Sequence, residues 1–283
     1  MEAIFASVIP PIASQFVAGE SEATVLERAR RLDERGIGTI CNHLGEHYDE
    51  RGPADADTQA YCTLLDDIAG TDLRACISVK PSGVGLDVDE SVFRENLSRI
   101  VDHADPAGVF VWLDMEDHTT TDATLDAFEA EARAHDGGVG VCLQANLRRT
   151  PDDLSRLADC PGKVRLVKGA YDPPKEMALP GEEVDDAYRE LLAQAFAERE
   201  GGIAVGSHDP AMIAAADRLH EEYGTPFEIQ MLMGVREPAQ ERLATDHEIW
   251  QYVPYGDKWL SYFYRRVAER RRNLTFALRA IVN

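Results

Sequence analysis

The chain has 283 residues, of which 44% are hydrophobic and 28% are charged. This length and composition suit one large globular domain and exclude both a disordered tail protein and a disulfide-stapled miniprotein. The 29 basic and 51 acidic residues give a net charge of −22, which repels nucleic-acid phosphates and argues against nucleic-acid binding.

The acidic residues are spread along the whole chain, and five of the 29 basic residues are lysine. A surface of this kind stays hydrated in concentrated salt, so the composition favours a salt-adapted, halophilic protein. The acidic bias of a GC-rich genome is the alternative explanation.

The five cysteines form no CxxC pair and lie mostly in apolar runs, which predicts buried thiols in a reducing cytoplasm. The first residues lack the basic start of a signal peptide, and no apolar run approaches the ~18 residues that a membrane span needs. We therefore expect a cytoplasmic protein without a transmembrane segment.

The first predicted element is a helix over residues 21–36, with Ser21 as its cap and Gly36 at its end. Because it precedes the first strand, this helix either plugs the bottom of the fold or belongs to a small N-terminal arm. We assign residues 1–35 to such an arm and residues 36–283 to the main fold, as parts of one domain over 1–283.

Eight short apolar runs then alternate with amphipathic stretches, a pattern typical of repeated βα units. The predicted strands are 36–44, 73–81, 108–115, 138–145, 163–171, 202–208, 227–232 and 248–256. Between them, residues 89–104 predict a helix that buries Val92, Leu97, Ile100 and Val101, and Thr150 caps a helix with Pro151 in its first turn. Units of about thirty residues predict an α/β fold of the (β/α)₈ barrel class.

Seven of the predicted strands end in polar side chains. They are Lys80, Asp114 with Glu116 and Asp117, Gln144 with Asn146, Lys168, Ser207 with His208 and Asp209, Gln230, and Tyr252 with Tyr255. Reacting groups in this fold come from the carboxyl ends of the strands. Because polar groups are costly to bury without partners, the repetition favours a polar pocket over ordinary solvent-facing strand ends.

The strand-end residues alone leave the chemistry open. Lys80 and Lys168 each suit a Schiff base, a phosphate or flavin contact, or a surface position. The chain contains no GxGxxG or Walker A sequence, so the Rossmann fingerprint for a dinucleotide is absent.

The strand-end acids allow a second enzyme class, a metal-dependent isomerase or lyase. Its metal ligands would be Asp114, Glu116, His208 and Glu228. Hydrated loop acids are the simpler explanation of the same residues.

The C-terminal segment predicts a helix that carries a pair of arginines. Tyr262 precedes Arg265 and Arg266 by three and four residues, and Glu269 follows Arg265 by four, so these side chains share or flank one helix face. Two guanidinium groups backed by a carboxylate suit a substrate carboxylate. A solvated basic helix explains the spacing equally well.

Several longer strings resemble the proline dehydrogenase family of flavoenzymes. They are RLVKGAYD, FEIQMLMGV, YVPYGDKWLSYFYRRVAE, the FVAGE that ends at residue 20 and the LGE after the first strand. The resemblance runs in the family's order from about Phe16 to Asn273. It implies a monofunctional enzyme with a distorted (β/α)₈ barrel, in which the last helix lies across the barrel mouth.

The resemblance also implies the activity and its partners. Members of the family hold FAD, oxidise L-proline to Δ¹-pyrroline-5-carboxylate and pass the electrons to a membrane quinone. We therefore expect L-proline as substrate, a quinone-type acceptor, a pyrroline-5-carboxylate dehydrogenase as partner and peripheral contact with the inner face of the membrane. Oxidation of hydroxyproline, or a noncatalytic barrel that only docks to the partner enzyme, are the alternatives.

Site residues follow from the resemblance, position by position. The substrate side comprises Lys80, Leu232, Tyr252, Tyr262, Arg265, Arg266 and Glu269. The flavin side comprises Met115, Gln144, Arg165, Lys168, Gly169, Ala170, Ser207 and His208. Asp114 and Arg165 are the expected catalytic residues, and Asp114 is expected to form an ion pair with Lys80. No metal is implied.

Overall fold

Eight parallel strands form a closed barrel in which each strand pairs with its neighbours in chain order. The computed structural model describes residues 13–199 and 201–260. The strands are β1 (Ile37–His43), β2 (Ala75–Val79), β3 (Val111–Leu113), β4 (Val139–Gln144), β5 (Lys163–Val167), β6 (Ile203–Gly206), β7 (Phe227–Leu232) and β8 (Ile249–Tyr255). Each lies within one of the eight predicted runs, so the barrel prediction is confirmed.

Helices precede β1 and follow each strand up to β7. They are α1 (Glu22–Asp33), α2 (Arg51–Ala69), α3 (Glu90–Ala104), α4 (Thr121–Ala134), α5 (Thr150–Arg156), α6 (Val184–Glu198), α7 (Pro210–Tyr223) and α8 (Glu237–Leu243). Ser21 is the N-cap of α1 as predicted, and the predicted apolar face of α3 is buried.

The prediction for the start of α5 was wrong in detail. Thr150 is the first helical residue, and Arg149 is the N-cap. The Thr150 hydroxyl donates a hydrogen bond of 2.5 Å to the carbonyl oxygen of Gln144 at the end of β4. Thr150 therefore fastens the helix to the strand instead of capping it.

Helix α1 packs against the outer wall of the barrel between β8 and β1. It buries Val25, Leu26, Ala29 and Leu32. Arg28 Nη2 donates to Gln251 of β8 at 2.8 Å and to Glu237 of α8 at 2.5 Å. In a regular alternation of strands and helices, this position on the wall belongs to a helix that follows β8. Helix α1 fills this position.

Strand register decides which side chains point into the barrel, because residues paired across neighbouring strands share a face. Ser78 pairs with Trp112, Trp112 with Gly140 and Gly140 with Lys163. Trp112 covers Gly140 so closely that a Cβ atom there would lie 2.6 Å from the indole ring. Only a glycine fits beneath this tryptophan.

The same register brings a row of polar side chains inside the barrel. Arg165 of β5 pairs with Ala204 of β6, and Ala204 pairs with Glu228 of β7. Farther along β7, Gln230 pairs with Trp250 of β8. The interior therefore combines two large aromatic rings with charged and amide groups, and apolar packing lies mainly between the strands and the helices.

All five cysteines are buried and unbridged, as predicted. Burial raises the pKa of the Cys41 thiol to about 12. Neutral thiols of this kind are poor nucleophiles, so the cysteines contribute packing and not chemistry. None of the helices in the described part of the chain is long and apolar enough to cross a membrane.

Candidate active site

The carboxyl ends of the strands form one rim, and the predicted site residues divide into two arcs along it. The cofactor arc follows β3 to β6 and comprises Met115, Gln144, Lys168, Gly169, Ala170, Ser207 and His208. The substrate arc lies at the ends of β7, β8 and β2 and comprises Leu232, Tyr252 and Lys80. Because β3 to β6 are consecutive in the barrel, the two arcs face each other across its mouth.

Asp114 links the two arcs. Its Oδ1 accepts a hydrogen bond of 2.7 Å from the Ser78 hydroxyl and pairs with the Arg165 guanidinium. Its Oδ2 accepts a hydrogen bond of 2.7 Å from the Tyr252 hydroxyl. The carboxylate is thus held by a cation and two neutral donors, which fixes its position at the barrel mouth.

Arg165 is buried beneath Asp114, with 4% of its surface exposed. Its guanidinium lies 4.9 Å from the centre of the Trp112 ring and donates through Nη1 to Gln230 at 3.0 Å. Burial lowers the pKa of this group, but the negative charge of Asp114 and the smaller effects of Cys142 and Tyr252 together outweigh burial, so the pKa stays above its ordinary value. Arg165 is therefore a permanent positive charge in a water-poor site.

Lys80 does not form the predicted ion pair with Asp114. Its ammonium lies 2.6 Å from Oε2 of Glu46, in the loop after β1. Asp114 pairs with Arg165 instead. Lys80 projects from β2 toward β1, whereas Arg165 approaches Asp114 from inside the barrel.

Glu116 lies in the loop after β3, and its carboxylate is buried against Ser82. Its two oxygens accept hydrogen bonds of 2.8 Å from the Ser82 amide and the Ser82 hydroxyl. Burial raises the pKa of the Glu116 carboxyl above its ordinary value, and the Ser82 bonds and the charge of Lys80 offset this only in part. Gln144 donates from Nε2 to the Glu116 carbonyl oxygen at 2.9 Å, which ties the loop after β3 to β4.

Lys168 follows β5 and lies between two carboxylates. Its Nζ is 2.6 Å from Asp185 and 3.0 Å from Asp209. Burial lowers the pKa of the Lys168 ammonium, but the hydrogen bonds to these carboxylates outweigh burial and raise the pKa overall. Lys168 therefore holds a full charge at the rim and connects the starts of α6 and α7.

Gly169 takes a left-handed backbone conformation, with φ at 112°. A Cβ atom at this position would lie 2.1 Å from Oδ1 of Asn146 in the loop after β4. Both the dihedral angle and the close approach require glycine. The neighbouring Ala170 is exposed, so its methyl group is not part of the packed interior of the site.

The loop after β6 is fastened to β7 and α8. His208 Nε2 accepts a hydrogen bond of 3.2 Å from the backbone amide of Leu232, and the Arg236 guanidinium donates to the His208 carbonyl oxygen. Ser207 Oγ accepts a hydrogen bond of 3.1 Å from the amide of Asp209. The ends of the cofactor arc and the substrate arc therefore meet at His208 and Leu232.

Comparison with known proteins decides the family. The family model for proline dehydrogenase matches residues 25–279. The proline dehydrogenase of Deinococcus radiodurans is 34% identical over 281 residues, covering 96% of this chain and 90% of that protein. Proline dehydrogenase 1 of Bacillus subtilis is 32% identical over 274 residues, covering 95% and 90%. The chain belongs to the proline dehydrogenase family.

Solved structures agree on the fold. Proline utilization A from Bdellovibrio bacteriovorus, inactivated by N-propargylglycine, aligns with a TM-score of 0.81 at 22% sequence identity. The alignment covers 90% of this chain and 32% of that one, so this proline dehydrogenase family member spans about a third of the larger protein. Such a likeness shows the fold, and the barrel is common to both.

Four of the predicted substrate-side residues, Tyr262, Arg265, Arg266 and Glu269, lie outside the described residues. Their proposed roles rest on the resemblance and on the helix spacing.

The alternative metal site is not formed. Glu228 is the second residue of β7, near the amino end of the barrel, and its carboxylate pairs with Lys163 at 2.5 Å. Asp114 and Glu116 are each occupied by the partners described above. Among the residues that the structure describes, no group of three or more His, Cys, Asp or Glu side chains is placed to hold a metal ion.

Two residues of the site were missed by sequence reasoning. Ser78 donates to Asp114, and Glu46 pairs with Lys80. Strand alternation contains the signal for Ser78, because it lies two residues before Lys80 and so on the same face of β2. Glu46 is part of the LGE string, but its partner could not be read from spacing.

Proposed function

We propose that this member of the proline dehydrogenase family oxidises L-proline to Δ¹-pyrroline-5-carboxylate with FAD as the hydride acceptor. The observation that carries the proposal is the Arg165–Asp114–Tyr252 linkage, which joins the cofactor arc to the substrate arc at the barrel mouth. The reaction converts the C5–N single bond of proline to a double bond. A hydride leaves C5 and a proton leaves the nitrogen, so two electrons are removed.

The residues of the cofactor arc fit a flavin. A buried guanidinium at Arg165 and an ammonium at Lys168 supply positive charge where a flavin and its phosphates carry or gain negative charge. The left-handed Gly169 presents backbone without a side chain at the same edge. Arg165, Lys168, Gly169, Ser207 and His208 would hold the cofactor, together with Met115, Gln144 and Ala170.

FAD, when bound, supplies the acceptor for the hydride. Arg165 provides a positive charge that cannot be lost by deprotonation, and this charge stabilises negative charge that develops beside it. Asp114 balances the guanidinium in the resting site, so the buried charge is not left without a partner.

On the substrate side, the Tyr252 hydroxyl is engaged by Asp114, so the ring of Tyr252 is the surface that remains for the substrate. Leu232 pairs with Tyr252 in register and lies beside it on the same face. Together they form an apolar wall suited to a pyrrolidine ring. We assign the substrate carboxylate to Arg265 and Arg266 of the predicted C-terminal helix, supported by Tyr262 and Glu269.

Several wider assignments belong to the same proposal. The electrons pass to a quinone-type acceptor during peripheral contact with a membrane, and the product passes to a pyrroline-5-carboxylate dehydrogenase.

The protein works in the cytoplasm as one barrel domain over residues 1–283, with residues 1–35 as an N-terminal arm. The acidic surface is an adaptation to salt.

Anaerobic addition of L-proline to the purified protein tests the proposal. The visible flavin absorption band should bleach and return when a quinone analogue is added. Arg165→Met is the variant to compare with the wild type, because it removes the positive charge of the guanidinium and keeps an unbranched side chain. A wild-type flavin that L-proline does not bleach would overturn the assignment.

The flavin should be bound without a covalent link, since no histidyl or cysteinyl attachment motif is apparent and all five cysteines are buried. Acid precipitation should release the yellow colour into the supernatant. Colour retained in the pellet would contradict noncovalent binding.

A further inference from the structure

A continuous chain of polar contacts runs through the barrel interior from its amino end to the site. Lys163 Nζ lies 2.5 Å from Glu228 Oε2. Glu228 Oε1 accepts a hydrogen bond of 2.6 Å from Gln230 Nε2, and Gln230 Oε1 accepts one of 3.0 Å from Arg165 Nη1. Arg165 then pairs with Asp114. We call these five residues the axial chain.

Charges alternate along the axial chain, with the neutral amide of Gln230 at its centre. Lys163 and Arg165 are cations, and Glu228 and Asp114 are anions, so the chain is balanced overall. The side chains of Glu228 and Arg165 are 4% and 5% exposed. Each buried charge therefore depends on its neighbour in the chain, because water cannot replace a lost partner.

The orientation of the Gln230 amide is set by its two neighbours in the axial chain. Its carbonyl oxygen has to face the Arg165 guanidinium, and its amide has to face an acceptor, which Glu228 supplies. If the amide turned over, its N–H groups would point at the guanidinium and repel it. Glu228 thus determines which end of Gln230 meets Arg165, although Glu228 does not touch Arg165 itself.

We propose that Glu228, acting through Gln230, is a positioning residue for Arg165. It holds the guanidinium at the height in the barrel where it pairs with Asp114 and faces the cofactor arc. The inference rests on the proposed function, since the consequence of misplacing Arg165 is read on a bound flavin. The simpler alternative is that Lys163 and Glu228 only stabilise the amino end of the barrel.

Glu228→Gln removes the charge and keeps the shape of the side chain. We expect kcat per bound flavin to fall by about tenfold and the midpoint potential of the flavin to become more negative, because Arg165 is less firmly held. Glu248→Gln is the matched control. Glu248 precedes β8 at the same end of the barrel and contacts Trp250 and Arg74, outside the axial chain. That control should change neither quantity.

The variant Lys163→Met/Glu228→Met separates positioning from stability. It restores charge balance at the amino end, so the fold should survive even if Glu228→Gln alone does not. The Gln230 amide then has no acceptor at this position, so the lower kcat and the more negative potential should persist. Normal kcat and a normal potential in the double variant would overturn the proposal, whatever happens to thermal stability.

Failure of the proposed function gives a different result. In that case L-proline does not bleach the wild-type flavin, yet the midpoint potential of the bound flavin can still be compared among the variants by chemical titration. If the variants keep the wild-type flavin potential and turn over proline normally, the positioning role of Glu228 is wrong and the proposed function still stands.

Discussion

The Tyr252 hydroxyl on β8 donates a hydrogen bond of 2.7 Å to Oδ2 of Asp114, which follows β3. The two residues are 138 positions apart in the sequence and meet only because the barrel closes. The bond makes a tyrosine that was expected to contact the substrate one of three partners of the Asp114 carboxylate, with Ser78 and Arg165. The bond to Asp114 and the proposed contact of Tyr252 with the substrate can be separated by substitution.

Tyr252→Phe keeps the ring and removes the bond to Asp114, whereas Tyr252→Ser removes the ring. We expect Tyr252→Phe to keep the preference for proline over trans-4-hydroxyproline and to lower kcat/KM about tenfold for both. Tyr252→Ser should narrow the preference for proline over trans-4-hydroxyproline. The proline ring loses its packing against the tyrosine, so kcat/KM for proline falls. Steady-state kinetics with an artificial acceptor measure both. Equal preference in all three proteins would show that Tyr252 does not set ring specificity.

Asp114 and Arg165 should be strongly coupled. Asp114→Asn leaves a buried guanidinium without its counter-charge, and we expect it to lower the free energy of unfolding by about 3 kcal/mol. Arg165→Met in the same chain removes that unpaired charge, so the double variant should recover part of the loss. Urea unfolding of the four proteins measures the coupling. If the losses of unfolding free energy in the two single variants simply add in the double variant, Asp114 and Arg165 have no coupling energy.

The raised pKa of Glu116 predicts a pH-dependent contribution to stability. The folded protein binds this proton more tightly than the unfolded chain, so the stability that Glu116 contributes is present below its ordinary pKa of 4.5 and is lost as pH rises through the raised value. Glu116→Gln is neutral at every pH. The melting temperature of the variant should rise relative to that of the wild type as the pH increases above about 4.5. A constant difference would contradict a raised pKa.

Arg265 and Arg266 should bind the substrate carboxylate. Replacing either by methionine should lower kcat/KM for proline by about 10², since a lost charge-assisted bond in a desolvated site costs about 2–4 kcal/mol. Flavin content should stay unchanged, because both residues belong to the substrate side. Wild-type efficiency in both variants would place the carboxylate elsewhere.

The acidic surface should respond to salt. Repulsion within a chain of net charge −22 is screened by added ions, so the melting temperature should rise between low and molar KCl. Sodium chloride at matched concentrations controls for a specific effect of potassium. A flat or falling curve would favour genome bias as the origin of the composition.

Sequence by itself determined the barrel and predicted where the candidate site lies. The eight strands were predictable because each is a short apolar run, and the order of such runs along a chain predicts repeated βα units. Polar residues at their ends marked the rim, and Lys80, Asp114, Lys168 and Tyr252 were found in this way.

Only the tertiary structure decided which charges meet. Lys80 was expected to pair with Asp114 but pairs with Glu46, and Asp114 pairs with Arg165. The position along a strand gives the height of a side chain in the barrel and the face it lies on. Its partner comes from a distant strand and depends on how far each side chain reaches across the closed interior, which no local pattern records.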